Sequence, residues 1–118
     1  FNILANYKFP LNEALYAREG SVLKLICDSV SYHSQGDEIS FFNWLNSIES
    51  VVKVQGFGTE LEVTVSSNAI PDDDLREFLA IFTRYCVELK QLRIFENSSN
   101  KDWFTHNKVA YWYKNLMV

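Results

Sequence analysis

Two alternating apolar runs on either side of the dipeptide Gly58-Thr59 constrain the fold more than any other feature of the sequence. Apolar side chains occupy every second position around it: Val52, Val54, Leu61, Val63 and Val65. Alternation with period two on both sides of a two-residue connection predicts a β-hairpin, with strands over Val51–Phe57 and residues 60–66. Glycine as the first connecting residue favours a type II′ turn.

An amphipathic helix is predicted directly after the hairpin, over residues 71–85. Its apolar residues follow the i, i+3, i+4, i+7 spacing of one helix face: Leu75, Phe78, Leu79 and Phe82. Pro71 in the first turn and the acids Asp72, Asp73 and Asp74 are typical of a helix start, because carboxylates are stabilised by the positive end of the helix dipole.

A strand and a helix are predicted before the hairpin. Residues 22–32 alternate, with Leu23, Leu25 and Cys27 on one face, and the apolar positions then shift to Val30 and Tyr32, which predicts a bulge or bend near Asp28-Ser29. Residues 37–48 carry a helical stripe: Phe41, Trp44, Leu45 and Ile48. Ile39 and Phe42 widen this stripe, so we expect the helix to be covered on more than one side.

The two ends of the chain have weaker patterns. Residues 89–95 favour a short helix, with pairing of residues 92–95 at a sheet edge as the alternative. Helical spacing of Val109, Trp112, Tyr113 and Leu116 predicts a last, aromatic helix. Near the N-terminus, Pro10 is expected to open a short helix, and apolar residues before it are expected to dock on the domain or on another copy.

The predicted fold class is α+β, with a β-α-β-β-α core, an antiparallel sheet of three or more strands and helices on one face. This arrangement is a split βαβ unit without its final strand. The aromatic C-terminal segment is expected either to replace that strand or to lie across the second face of the sheet. We expect residues 1–118 to form a single domain, with residues 1–20 as an N-terminal extension of uncertain role.

Composition narrows the class of partner. Eleven basic and fifteen acidic residues give a net charge of −4, which argues against a surface built for nucleic-acid phosphates. No apolar run has the roughly 20 residues of a membrane span, and no secretory signal pattern is present. Cys27 and Cys86 are too few for a disulfide framework, so we expect two buried, reduced thiols and a cytoplasmic protein.

No motif in the chain predicts catalysis, a metal or a cofactor. The run Asp72-Asp73-Asp74 lacks the alternate ligand positions of a calcium loop and fits helix capping better. His33 and His106 lie in predicted loops, without zinc-like spacing to other ligands. Cys86 has no base at a recognisable spacing, and Gly56-Phe57-Gly58 lies inside the hairpin. We therefore expect a non-enzymatic domain.

The aromatic C-terminal segment leaves alternatives open. Its aromatic residues are Trp103, Phe104, Tyr111, Trp112 and Tyr113, and its interleaved lysines are Lys101, Lys108 and Lys114. Aromatic platforms with cations stack single-stranded bases, so a small nucleic-acid-associated domain is the alternative function. Core packing explains most of these residues more simply, and an aromatic protein interface is a further possibility.

Several segments of the chain resemble a small family of bacterial proteins. They are Phe41-Phe42-Asn43-Trp44-Leu45, Asp74-Leu75-Arg76-Glu77-Phe78, Lys90-Gln91-Leu92, Trp103-Phe104 and Tyr111-Trp112-Tyr113-Lys114. Residues 22–118 are also similar to small acidic immunity proteins of contact-dependent growth inhibition and other polymorphic toxin systems. The resemblance rests on packing motifs and implies a protein that binds and neutralises a cognate toxin, often a basic nuclease. It carries over no toxin-binding residue.

The expected contact surface is acidic or polar. One candidate is the polar strand face of Glu60, Glu62 and Thr64, and the other is the group Asp72, Asp73 and Asp74. Either surface can attract a basic protein through charge complementarity, which increases association rate and specificity. The predicted function is thus protein binding.

Overall fold

The computed structural model describes residues 22–118. The elements are β1 (Leu23–Asp28), α1 (Gln35–Ser47), β2 (Val51–Phe57), β3 (Glu60–Val65), α2 (Asp72–Arg84), a 3-10 helix (Lys90–Phe95), α3 (Lys101–Phe104) and α4 (Tyr113–Met117). The predicted α+β class and the β-α-β-β-α order are confirmed. The predictions for residues 1–20 lie outside the described residues.

The described sheet has three antiparallel strands in the order β1-β3-β2. Strand β3 is central, and its Val63 pairs with Leu25 on one side and Val54 on the other. In the connection between β2 and β3, Gly58 has a φ of 62°, whereas Thr59 has no positive φ. A positive φ at the first connecting residue alone is the pattern of a type II′ turn, as predicted.

Strand β1 is shorter than predicted. It ends at Asp28, and Ser29 adopts a left-handed conformation with a φ of 54°. The chain therefore bends away from the sheet at Ser29. Of the predicted bulge or bend near Asp28-Ser29 the bend is confirmed, but the strand does not continue to residue 32. The bulge of this sheet lies in β2, where the register shifts between Val51 and Lys53.

One hydrophobic core joins the sheet to both long helices. It contains Leu25, Val63 and Val54 from the sheet, and the fully buried Phe41 and Phe78 from the helices. These strand residues share one sheet face, since they lie opposite each other in the register. The prediction that both helices cover the same face is confirmed.

The aromatic C-terminal segment packs on the helical side of the molecule. Its Phe104, Trp112 and Leu116 join the same core, and the guanidinium of Arg76 on α2 lies 3.9 Å from the centre of the Trp103 ring. The predictions that this segment replaces a strand or covers the second sheet face are therefore wrong. The last helix is also shorter than predicted, since Tyr113–Met117 leaves Val109 outside it and exposed.

The first long helix begins two residues earlier than predicted. Ser34 caps it, because the Ser34 hydroxyl accepts a hydrogen bond of 3.1 Å from the Asp37 backbone N–H. Phe42 is buried as expected, but Ile39 is 38% exposed, so the prediction that Ile39 is covered is wrong.

The side chain of Gln91 covers part of the outer edge of β1. The backbone N–H of Ile26 donates to Oε1 of Gln91 at 2.8 Å, and Nε2 of Gln91 donates to the Ile26 carbonyl at 2.8 Å. Residues 90–95 thus form a helical turn, the first of the two predicted alternatives, although its Gln91 still meets the sheet edge. Within residues 22–118, every helix is too short or too polar to cross a bilayer.

Candidate functional site

The two ends of helix α2 carry different groups of exposed side chains. At its N-terminal end, Asp72 and Asp73 are exposed and form no side-chain hydrogen bond or ion pair within residues 22–118. Exposed Glu49 lies near them, because the next residue, Ser50, is hydrogen-bonded to Asp74. We call Glu49, Asp72 and Asp73 the acidic end.

Asp74 differs from its two neighbours. It is half-buried, and its Oδ2 accepts hydrogen bonds from both the backbone N–H of Ser50, at 3.0 Å, and the Ser50 hydroxyl. These bonds join the start of α2 to the turn between α1 and β2. Of the three acids predicted to bind a partner, Asp74 therefore has a structural role.

The predicted polar strand face is only partly available. Glu60 is exposed, but Glu62 forms a 3.0 Å ion pair with Lys24, and Thr64 is only 5% exposed. The expectation that all three line an open surface is wrong for Thr64, which lies on the central strand with Lys24 of β1 and Lys53 of β2 on either side.

The two predicted groups do not form one surface. Glu60 adjoins the hairpin, whereas the acidic end adjoins Ser50, whose carbonyl accepts a hydrogen bond from the Ser66 N–H just beyond the other end of β3. Five residue steps along a strand span about 17 Å. The structure therefore separates Glu60 from Asp72 and Asp73 by the length of β3.

A cleft of about 460 Å³ lies at the opposite end of α2, which we call the Arg84 cleft. Its walls are Ser29, Ser31, His33, Asp37, Arg84, Tyr85 and Cys86. They come from the loop after β1, the first turn of α1 and the end of α2. Hydroxyl, imidazole, carboxylate, guanidinium and thiol groups all line this one cleft.

Asp37 and Tyr85 form the floor of the Arg84 cleft. Asp37 Oδ2 accepts a 2.8 Å hydrogen bond from the His33 backbone N–H, and Oδ1 accepts a 2.8 Å bond from the Tyr85 hydroxyl. These two bonds, with a smaller effect of the His33 charge, lower the pKa of Asp37. The carboxylate is thus ionised and satisfied on both oxygens at neutral pH.

Aromatic packing fixes the position of Tyr85. Its ring meets Phe41 edge-on with centroids 4.7 Å apart and lies 6.3 Å from Tyr32. Burial and then the hydrogen bond to Asp37 raise the pKa of Tyr85. Because the ring cannot move without disturbing the core, the hydroxyl is held against Asp37.

Two buried polar groups are electrostatically linked to this cluster. The Tyr32 hydroxyl and both carboxylate oxygens of Glu38 lack hydrogen-bond partners in the described structure. Burial, followed by the charge of Glu38, raises the pKa of Tyr32. Neither residue lines the cleft.

Cys86 lies on the rim because of the way α2 ends. The Val87 N–H donates to the Phe82 carbonyl at 2.9 Å and the Cys86 N–H to the Thr83 carbonyl at 3.4 Å, which is the Schellman pattern. Cys86 takes the left-handed position of this motif, with a φ of 59°. It is exposed, so the prediction of a buried thiol is wrong here. Cys27 is buried as expected, and its burial raises its pKa to about 12.

Two more depressions adjoin the end of α2. One, of about 420 Å³, has Cys86, Lys90 and Lys114 among its walls. The other, of about 580 Å³, lies between Trp44 and Tyr111 and also touches Arg84. Three depressions therefore meet at the last turn of α2.

Most aromatic rings of the C-terminal segment are engaged in packing. Trp112 is buried and donates its indole N–H to the Phe104 carbonyl at 2.8 Å. Arg76 covers one face of Trp103, and Trp112 meets Trp103 edge-on. Tyr111 is 60% exposed. Of the predicted stacking platform, Tyr111 is exposed, Trp103 and Tyr113 are half-buried, and Phe104 and Trp112 are buried.

The Arg84 cleft has titratable groups but no assembled nucleophile–base pair. The Cys86 thiol forms no hydrogen bond to His33 or to any other described residue. Residues 22–118 contain no group of three or more His, Cys, Asp and Glu residues placed to hold a metal ion. The side chains of Arg84, His33 and Ser31 line the cleft without described hydrogen-bond partners, so they can donate hydrogen bonds to a ligand.

Sequence patterns do not predict this cleft, because its residues come from two segments about 50 positions apart. The predicted loop position of His33 is confirmed, since His33 is exposed and outside any helix or strand, whereas the prediction that Cys86 is buried is wrong. The available signals were the Ser34-x-x-Asp37 spacing, which is typical of a capped helix start, and a cysteine directly after a helix. Neither signal indicates that the two segments meet.

The comparisons with known proteins give no further guidance. Neither protein-family models, nor curated proteins, nor solved structures gave a match to the chain.

Proposed function

We propose that this chain is a protein-binding domain that docks its acidic end on a basic partner, as an immunity protein does on a cognate toxin. The observation that carries the proposal is the pair Asp72 and Asp73, exposed and without partners within residues 22–118. Because neither carboxylate has a side-chain hydrogen bond or ion pair among residues 22–118, both remain available for a partner. Asp74 and Glu62 are already engaged within the chain.

Charge complementarity explains why such a surface suits a basic partner. Acidic groups on the rim of an interface accelerate encounter and disfavour wrong partners. The net charge of −4 acts in the same direction over longer distances. The resemblance to immunity proteins supports a toxin as the proposed partner, and basic nucleases are common among such toxins.

Co-expression with the product of the neighbouring gene tests the proposal. We expect the two proteins to purify together and the chain to protect cells from that product. The double substitution Asp72→Asn/Asp73→Asn should weaken the complex and reduce protection. A matched variant, Glu96→Gln/Asp102→Asn, removes the same charge from other exposed positions and should change both readouts less.

Stability measurements separate loss of binding from loss of folding. Asp73→Asn should unfold at nearly the same urea concentration as the unsubstituted chain, because the Asp73 side chain has no described contact and its interaction with the helix dipole is worth only about 0.3–1 kcal/mol. Failure to co-purify together with absence of protection would contradict the toxin proposal. An equal effect of the two double variants would contradict the assignment to the acidic end.

Nucleic-acid binding has less support from the geometry. Arg76 and Trp112 occupy surfaces of Trp103 that a stacked base needs, and Trp112 is itself buried. Tyr111 is the open aromatic ring of this segment. We expect a flat tryptophan fluorescence titration with single-stranded oligonucleotide at low salt, the condition that most favours phosphate contacts.

A further inference from the structure

We propose that the Arg84 cleft binds a small anionic ligand through a phosphate or carboxylate group. The groups that recognise it are the guanidinium of Arg84, the imidazole of His33 and the hydroxyl of Ser31, which all line the same cleft. This site goes beyond the proposed protein-binding function. It lies at the other end of α2 from the acidic end, and the thirteen residues of that helix span about 20 Å.

The balance of donors and acceptors favours an anion. The acceptors of Asp37 are occupied by the Tyr85 hydroxyl and the His33 backbone N–H. In contrast, the side chains of Arg84, His33 and Ser31 have no hydrogen-bond or ion-pair partner among the described residues. A ligand with acceptor oxygens can accept hydrogen bonds from these three side chains. A ligand with donors alone cannot use the Asp37 carboxylate as readily, because both of its oxygens already accept hydrogen bonds.

The charges of the cleft agree with this assignment. Arg84 is permanently positive and can hold phosphate or carboxylate through two parallel hydrogen bonds. Asp37 adds a negative charge to the same wall, but both of its oxygens already accept hydrogen bonds, from the Tyr85 hydroxyl and the His33 backbone N–H. A cation would instead be repelled by Arg84. The volume of about 460 Å³ is in the range of small-molecule sites.

The alkylation rate of the Cys86 thiol can report whether a ligand occupies the Arg84 cleft. Its thiol is exposed on the wall of the same cleft, whereas Cys27 is fully buried and its raised pKa keeps it protonated. An uncharged alkylating reagent, iodoacetamide, should therefore label Cys86 selectively. A bound anion beside Arg84 should obstruct this reaction.

The experiment measures the rate of Cys86 labelling by intact mass and peptide mapping, with inorganic phosphate, acetate or chloride at equal ionic strength. We expect phosphate to slow labelling, by roughly tenfold at a concentration ten times its Kd if the occupied site is fully protected. Slowing by acetate as well would identify carboxylates as ligands. Chemical shifts of the Arg84 Nε–H group report binding independently, in the case that the ligand leaves the thiol accessible.

Variants decide whether the effect belongs to this cleft. Arg84→Gln should abolish the phosphate effect on Cys86 labelling, and Ser31→Ala should weaken the effect on both readouts. Lys108→Gln removes one positive charge from an exposed position outside the cleft and should retain it. The proposal is overturned if phosphate changes neither readout, if chloride acts equally, or if Arg84→Gln behaves like the unsubstituted chain. None of these outcomes depends on a protein partner, so this site and the acidic end are tested separately.

Discussion

At the scale of single residues, Cys86 is the position where local conformation and residue type disagree most. Its φ of 59° is in the left-handed region, where a side chain with a Cβ atom costs about 1–2 kcal/mol. Glycine is the usual residue at this point of a Schellman motif. The chain therefore places a thiol on the rim of the Arg84 cleft at a cost in stability.

Replacement of Cys86 separates this conformational cost from the chemistry of the thiol. We expect Cys86→Gly to raise the free energy of unfolding by about 0.5–1 kcal/mol relative to Cys86→Ala, since both variants lack sulfur but only alanine retains Cβ. Urea denaturation with a common slope measures the difference. An alanine variant at least as stable as the glycine variant would show that the left-handed conformation is not strained.

The bond between Tyr85 and Asp37 should make stability depend on pH. The pKa of Asp37 in the folded chain is lowered chiefly by the His33 N–H and next by the Tyr85 hydroxyl. Its contribution is therefore fully present above the unfolded pKa of about 4 and is lost as pH falls through the lower folded value.

We accordingly expect Tyr85→Phe to destabilise the chain at neutral pH and to destabilise it less below pH 4. Chemical denaturation of both proteins across this range measures the difference. Tyr113→Phe is the control, because the Tyr113 hydroxyl has no partner among the described residues, and its effect should not vary with pH. A Tyr85→Phe effect that is constant with pH would exclude this linkage.

At the scale of secondary structure, the outer edge of β1 is completed by a side chain. Gln91 presents one acceptor and one donor to the backbone of Ile26, as a neighbouring strand does. An uncovered edge offers unpaired N–H and C=O groups to other chains. The 3-10 helix thus stabilises the sheet through Gln91 and also protects its edge.

Hydrogen exchange at Ile26 tests the role of Gln91. Gln91→Ala should speed exchange of the Ile26 amide and lower stability by about 1–2 kcal/mol, because the two hydrogen bonds to Ile26 and the one to the Glu88 carbonyl are lost. Gln55→Ala is the comparison, since Gln55 lies on β2 and has no described side-chain bond. Unchanged protection of Ile26 in the Gln91 variant would mean that another group covers this edge.

At the scale of the whole molecule, one core and one helix organise the surface. Helix α2 contributes five buried residues to the core, Leu75, Phe78, Leu79, Ile81 and Phe82. The same helix carries the acidic end at its start and the Arg84 cleft at its end. Its dipole agrees with both its first-turn acids and Arg84 in its last turn.

Truncation of this core should affect the entire fold. We expect Phe78→Ala or Leu79→Ala to cost about 2–5 kcal/mol, because each removes a fully buried side chain and leaves a cavity. Ile94→Ala, at an exposed position of the 3-10 helix, should cost about 0.5 kcal/mol or less. Urea denaturation that shows similar small effects for all three would contradict the central role of α2.

The sequence by itself determined the elements with regular patterns. The period-two alternation of Leu61, Val63 and Val65 and the helical spacing of Phe78 and Phe82 fix the hairpin, α2 and their buried faces, because these patterns depend only on backbone geometry. The sequence also places the acids Asp72 and Asp73 in the first turn of α2, where the helix dipole favours them. Both are exposed in the structure.

Only the tertiary structure decided which of these residues are free and which segments meet. Asp74 has a structural role because it accepts a hydrogen bond from the Ser50 backbone N–H. Thr64 is buried on β3, the central strand of the sheet. The Arg84 cleft joins residues 29–37 to residues 84–86 through the bond between Asp37 and Tyr85. Contacts between distant segments depend on how whole elements pack, and no local periodicity records that packing.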